Sequence, residues 1–169
     1  LAKTGVGGRL SKGDSPRTIG LRADMDALPI FEATDLPWAS TVAGKMHACG
    51  HDGHTTILLA AAKYIASPAC QFNGTVHLIF QPAEEAIGGA DLMIKDGLFE
   101  RFPCERIFGL HNMPGLPVGK LGFYAGNFMA SADTVKITIT GYGGHGAHPE
   151  RTVDPIVTGA ALVMNLQIG

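Results

Sequence analysis

The 169-residue sequence lacks the hallmarks of several protein classes. No run approaches 18 apolar residues and no signal-peptide pattern is present, so we expect no membrane partner. Charged residues make up only 17% of the chain, its net charge is −2, and Lys and Arg form no basic stripe. This charge pattern argues against a nucleic-acid partner. There is no internal repeat and no low-complexity tract.

Cysteine is also scarce. Cys49, Cys70 and Cys104 are odd in number and have no CxxC spacing. We therefore expect no disulfide framework. We expect a reducing, cytoplasmic location instead. Apolar residues make up 46% of the chain, which predicts a globular fold with a sizeable core.

Ligand-capable side chains are concentrated in the run MHACGHDGH, residues 46–54. Its nine residues contain three His, one Cys and one Asp. A core has no use for such a cluster, because each imidazole or carboxylate must be paired or hydrated when it is buried. The run therefore predicts a binding site.

Strands and helices are predicted to alternate over the first two thirds of the chain. The apolar pattern indicates a short strand within residues 1–17, strands over 18–23, 74–81 and 106–110, and helices over 55–67 and 88–95. Asp52 is predicted to cap the first helix. We expect an α/β fold with a mixed sheet and flanking helices. Polar residues follow three strands: Asp24, Asp26, Glu84, Glu85 and His111.

The pattern changes after Pro117. Residues 118–125 and 132–140 alternate as half-buried strands do, and a helix is predicted from about Asp154. We place a domain boundary near residues 114–118. This predicts a domain over residues 1–116 and the start of a smaller α+β domain over 117–169.

Each candidate site residue also has an ordinary interpretation. Cys49 and His51 fit a buried Cys beside a hydrogen-bonded His as well as they fit a metal site, and adjacent Glu84 and Glu85 are common on solvated turns. Taken together, thiolate, imidazole and carboxylate donors from separate segments favour a borderline divalent ion. The set comprises Cys49, His51, Glu85 and His111. Glu84 would then be free to move a proton during metal-assisted hydrolysis.

Five motifs, in order, closely resemble the M20 metallopeptidase family, and together they span nearly the whole chain. They are RADMDALP (22–29), MHACGHDGH (46–54), QPAEE (81–85), GLHNMP (109–114) and GGHGAHPERTVDPI (143–156). The branch that they resemble includes hippurate hydrolase, N-acyl-amino-acid hydrolases and auxin-conjugate hydrolases. The resemblance implies a zinc-peptidase-like catalytic domain, a lid domain that pairs two copies into a homodimer, and small N-acyl amino acids as substrates.

The resemblance also implies a role for each matching residue. Cys49, His51, Glu85 and His111 match ligands of two divalent ions, zinc or manganese, and Glu84 matches the general base. Asp24 and Asp26 would support the ligands from behind, and Asp24 stands where other branches have a His ligand. His145 matches a lid histidine that stabilises the oxyanion in the partner subunit's site. His148 has a weaker claim, His47 and His54 are expected to be supporting or structural, and His77 is expected to be packed in its strand.

The family pattern also includes a further catalytic segment after the lid, with one more His ligand. We expect this chain to be a fragment that binds metal incompletely and is inactive by itself. Two other functions remain open. One is a metal-independent thiol hydrolase with Cys49 as the nucleophile, and the other is a non-catalytic module that binds a metal or an acyl ligand.

Overall fold

A computed structural model describes residues 1–86, 88–131 and 133–167. The strands are β1 (Val6–Lys12), β2 (Thr18–Asp24), β3 (Gly74–Gln81) and β4 (Arg106–Gly109). The α-helices are α1 (His51–Ala66), α2 (Gly89–Lys95), α3 (Leu98–Arg101) and α4 (Pro155–Leu166), and a 3₁₀ turn covers Pro149–Arg151. The strands and helices predicted over residues 18–110 are all present, with ends that differ by up to four residues.

The four strands form a mixed sheet in the order β1-β3-β2-β4. β2 runs parallel to both β3 and β4, whereas β1 is antiparallel to β3. Because β2, β3 and β4 are parallel, their carboxyl ends meet at one edge of the sheet, where open α/β sheets place their sites.

Helices cover both faces of the sheet because β3 alternates its side chains between two cores. Val76, Leu78 and Phe80 pack with Ala23 and with Leu58 of α1 on one face. On the other face Ile79 packs with Met93 of α2 and Leu98 of α3. All eight residues of β3 are buried, which is typical of a strand covered on both faces. The expected α/β fold with a mixed sheet and flanking helices is confirmed.

Backbone contacts divide the chain into two compact units, Leu1–Gly119 and Lys120–Gly169. In the second unit, α4 begins after Asp154, whose carboxylate accepts the Ile156 amide hydrogen at 2.8 Å. The helix predicted from about Asp154 is therefore present. The assignment of the two units as a catalytic and a lid domain stays a prediction.

The two strands predicted after Pro117 are absent from the described residues of 118–131 and 133–140. Ala132, where the second was expected to begin, lies outside the described residues. Within the described part of this unit, only Tyr142 and Val153 form a β-bridge. The alternating pattern was misleading here because a strand also needs a partner for its backbone amides and carbonyls.

The described residues include no helix that is both long enough and apolar enough to cross a membrane.

Candidate metal centre

The ligand-rich run 46–54 crosses the start of α1, which begins at His51, four residues before the predicted residue 55. Gly50 precedes it in the left-handed conformation, with φ of 85°, which glycine adopts without a steric penalty. Asp52 therefore lies inside the first turn and makes no capping hydrogen bond, so the predicted Asp52 cap is wrong. Because the helix starts early, His51 and His54 both lie in its first turn. They are three residues apart and therefore share one face of the helix, and both are buried.

His51 offers one free nitrogen to the site. Its side chain is 0% exposed. Its Nδ1 donates to the main-chain oxygen of Asp26 at 3.0 Å and lies 3.1 Å from Asp26 Oδ1, which fixes the hydrogen on Nδ1. Its Nε2 is buried and has no hydrogen-bond partner among the described residues. A buried imidazole lone pair without a donor is costly, and a metal ion would satisfy it.

Three triads of metal-capable side chains share His51, and two of them consist of the predicted ligands and base. The donor atoms of Cys49, His51 and His111 all lie within 4.8 Å of one another, as do those of His51, Glu84 and Glu85. Cys49 Sγ lies 3.5 Å from His111 Nε2, and His51 Nε2 lies 4.0 Å from Glu85 Oε1. Thiolate, imidazole and carboxylate at this spacing fit borderline divalent ions. The structure thus brings together the five residues predicted as ligands and base.

The turn that carries Glu84 and Glu85 is held in place by its neighbours. Asp26 Oδ2 accepts the amide hydrogen of Glu85 at 3.0 Å, so Asp26 contacts both His51 and this turn. Ala83 has a φ of 51°, a strained value for a residue with a Cβ, and its carbonyl accepts the Gly89 amide hydrogen at 2.9 Å. Burial raises the pKa of Asp26, but hydrogen bonds from the Glu85 and Glu84 amides outweigh it and the pKa is lowered. A charged Asp26 can accept hydrogen bonds from both His51 and the Glu85 amide.

Asp24 lies behind the site and is 1% exposed. Its two oxygens accept hydrogen bonds from His54 Nδ1 at 2.6 Å and from Arg22 Nη1 at 2.8 Å. Burial raises its pKa, but the His54 hydrogen bond and the charge of Arg22 outweigh it, so the pKa is lowered. A third triad of metal-capable side chains, Asp24, His51 and His54, contains this pair. Because Asp24 and His54 already satisfy each other, the geometry favours a supporting role for both.

Cys49 is a poor nucleophile in these surroundings. Burial, a hydrogen bond with Glu85 and the negative charges of Glu85 and Glu84 raise its pKa to about 11. The thiol is therefore protonated at neutral pH unless a cation offsets the carboxylates. A bound divalent ion would supply that positive charge.

The remaining histidines lie in different surroundings. His145 is in the second unit, where its Nδ1 accepts the Ala147 amide hydrogen at 3.1 Å beside an open cleft of about 490 Å³. Its predicted role stays a prediction. His148 contacts Glu150 at 3.2 Å and is exposed, as is His47. His77 is 1% exposed within β3, so its packing in the strand is confirmed.

Sequence reasoning missed one residue of the site, Asn112. Its main-chain amide donates to His54 Nε2 at 3.0 Å, and its carbonyl accepts from His111 Nδ1 at 2.6 Å. The signal in the sequence was a polar residue directly after a candidate ligand at a strand end.

Comparisons with known proteins agree with this geometry. The model of the family described as Peptidase family M20/M25/M40 matches residues 20–166. The chain is 54% identical to hippurate hydrolase of Campylobacter jejuni, over 99% of the chain and 43% of that protein. It is 44% identical to N-acetylcysteine deacetylase of Bacillus subtilis, over 98% of the chain and 43% of that protein. The chain thus spans less than half the length of these curated relatives.

A solved structure also supports the assignment of the chain to this family. The YXEP protein of Bacillus subtilis is described as a dinuclear metal binding peptidase from the M20 family. It superposes with a TM-score of 0.65 and 46% sequence identity, over 70% of this chain and 33% of that one.

Proposed function

The chain belongs to the M20/M25/M40 peptidase family, and from this we propose that it acts in metal-dependent hydrolysis of the amide bond of N-acyl amino acids. One observation carries the proposal. The buried Nε2 of His51, which has no hydrogen-bond partner among the described residues, lies at the junction of two of the three triads of ligand-capable side chains that share His51. The curated relatives named for hydrolysis of hippurate and deacetylation of N-acetylcysteine support this substrate class.

The residues divide the work between holding ions and moving a proton. Cys49, His51, Glu85 and His111 would hold divalent ions, zinc or manganese. Bound ions would supply Lewis-acid activation of water and of the amide carbonyl. Glu84 accepts a proton as the water oxygen adds to the carbonyl carbon. It then donates that proton to the amide nitrogen, the C–N bond breaks, and a carboxylic acid and an amine leave.

His145 is proposed to donate a hydrogen bond to the carbonyl oxygen in the active site of the partner subunit as negative charge develops there. Its Nδ1 accepts the Ala147 amide hydrogen, so the neutral ring carries its hydrogen on Nε2, which is the form that can donate. Pairing of two copies through the second unit is part of the same proposal.

Replacement of Glu84 tests the proposed mechanism. In the whole protein, Glu84→Gln keeps the shape and removes the proton acceptor, so kcat for an N-acyl amino acid should fall by about 10²–10⁴-fold. Metal content, measured on the same sample by mass spectrometry, should stay unchanged. Near-normal turnover would reject Glu84 as the base, whereas bound metal without any hydrolysis by the wild-type protein would instead favour a binding module.

The contact between Cys49 and His111 at 3.5 Å is the observation that favours a thiol hydrolase. Chelation separates the two functions, because only the metal enzyme needs an ion. Hydrolysis that survives exhaustive dialysis against EDTA, and that Cys49→Ala abolishes, would favour the thiol enzyme.

A further inference from the structure

His54 connects two segments that meet at the candidate metal centre. It lies in the first turn of α1 and is 2% exposed. Its Nδ1 donates to Asp24 Oδ1 at 2.6 Å, and its Nε2 accepts the main-chain amide hydrogen of Asn112 at 3.0 Å. Asn112 Oδ1 also lies 2.9 Å from Nε2, and with the side-chain amide turned over the Nδ2 donor would face this nitrogen instead. Both ring nitrogens of this buried imidazole are therefore used within the protein.

The contact with Asn112 leads directly to a candidate ligand. His111 Nδ1 donates to the Asn112 carbonyl at 2.6 Å, which leaves Nε2 of His111 free to face Cys49 Sγ. The hydrogen bonds form a continuous chain that leads from His111 to Asp24. His111 donates to the Asn112 carbonyl, the Asn112 amide donates to His54, and His54 donates to Asp24. Arg22 also donates to Asp24.

His111 needs such an anchor because its own segment provides little. It follows β4, a strand of four residues that are all exposed, and His111 and Asn112 are exposed too. Gly50 lets the two segments approach each other, since a Cβ there would lie 2.5 Å from Asn112 Oδ1. In the part of the chain that the structure describes, His54 is the buried side chain to which the Asn112 main chain is hydrogen-bonded.

We propose that His54 is a positioning residue for the metal ligand His111, which it holds in place through the main chain of Asn112. The inference rests on the metal centre of the proposed function. Groups that orient a metal ligand from behind typically contribute 10–100-fold to metal affinity. His54 is itself held by its hydrogen bond to Asp24, and Asp24 is held by its hydrogen bond from Arg22.

Cobalt binding to the whole protein tests the role without using activity. Co²⁺ coordinated by Cys49 gives a thiolate charge-transfer absorption that reports binding at this centre. His54→Leu should weaken Co²⁺ affinity by about 10–100-fold. His77→Leu is the matched control, because it also replaces a buried His of the same unit, in β3, and it should bind Co²⁺ like the wild type. His54→Gln, which keeps a donor and an acceptor, should restore most of the affinity.

A double-mutant cycle separates positioning from general destabilisation. If His54 acts through His111, the cost of His54→Leu should vanish once His111 is replaced by Ala, with a remaining change of about twofold or less. An equal loss of affinity in the wild-type and His111→Ala backgrounds would overturn the proposal. Circular dichroism checks folding. If His54→Leu does not fold, His54→Asn, which is polar but too short to span both partners, takes its place with the same expected loss.

The outcomes also distinguish this inference from the proposed function. Whole wild-type protein that binds Co²⁺ through Cys49, together with a folded His54 variant of equal affinity, would reject the positioning role and leave the metal centre intact. Whole wild-type protein without thiolate-bound Co²⁺ would reject both.

Discussion

His77 is a buried histidine outside the candidate metal centre, in the middle of β3. It is 1% exposed, its Nδ1 has no partner among the described residues, and Phe102 packs edge-on with ring centroids 5.5 Å apart. Burial, followed by the charge of Arg9, lowers the pKa of His77 from its ordinary 6.5. The folded protein thus holds this imidazole neutral at a pH where the unfolded chain already binds a proton.

This difference predicts a specific acid sensitivity. Because the folded pKa lies below the unfolded value of 6.5, the contribution of His77 to stability is complete above pH 6.5 and is lost as the pH falls through the folded pKa. We expect the free energy of unfolding, measured in urea at pH 7 and pH 5, to fall less in His77→Leu than in the wild type. Equal losses in the two proteins would contradict this.

Some residue-scale patterns in the sequence were reliable, although the predicted Asp52 cap was wrong. A histidine within an otherwise apolar strand correctly indicated a packed side chain, and a run of His and Cys correctly indicated a cluster. The asymmetry within that cluster could not be predicted. Whether Asp26 or Asp24 contacts His51 Nδ1 depends on the rotation of α1, and the start of this helix was predicted four residues too late.

At the scale of elements, Lys12 ties the end of β1 to the end of α1. Its Nζ donates to the main-chain oxygens of Ser67 and Cys70, both at 2.6 Å, and lies 5.3 Å from the centre of the Phe72 ring. Carbonyls at a helix carboxyl end lack partners within the helix and carry partial negative charge. A lysine at this position satisfies two main-chain groups at once.

Lys12→Met keeps the aliphatic chain and removes both donors. Hydrogen bonds from a charged group contribute about 1.5–3 kcal/mol, so we expect a loss of about that size in the free energy of unfolding. Lys95→Met is the control. Lys95 pairs with Asp91 at 2.6 Å, but its side chain is 70% exposed, and exposed pairs contribute about 0–1 kcal/mol. Urea denaturation of the two variants would show whether the losses differ as predicted.

The elements of the first unit were predictable because their apolar patterns agree with their surroundings. β3 reads as a continuous apolar run and is buried on both faces, and the Ala and Leu of α1 pack on the sheet. The strands expected after Pro117 alternate apolar and polar residues, but they have no partner strand among the described residues. A local pattern predicts which face of a strand is apolar, but it does not supply the neighbour that the strand must pair with.

At the scale of the whole molecule, the candidate metal centre joins segments that are far apart in the chain. Cys49 and His51 flank the start of α1, Glu84 and Glu85 follow β3, and His111 follows β4. Sequence order alone could not bring them together. The parallel arrangement of β2, β3 and β4 does so, because it places their carboxyl ends at one edge of the sheet.

A centre that joins these segments must couple metal binding to stability. An ion that binds only the folded state stabilises it by about 2.7 kcal/mol at a free concentration of 100 times Kd. For a unit of the size of Leu1–Gly119, this gain in stability corresponds to a rise of roughly 10 °C in Tm. We expect Zn²⁺ to raise the Tm of the chain in a calorimetric scan and EDTA to reverse the rise.

Cys49→Ala should abolish most of this rise in Tm. Cys70→Ala, which removes a half-buried thiol elsewhere, should retain it, because only Cys49 faces His51 and His111. An equal rise in the Cys49→Ala variant would mean that the ion binds outside the proposed centre.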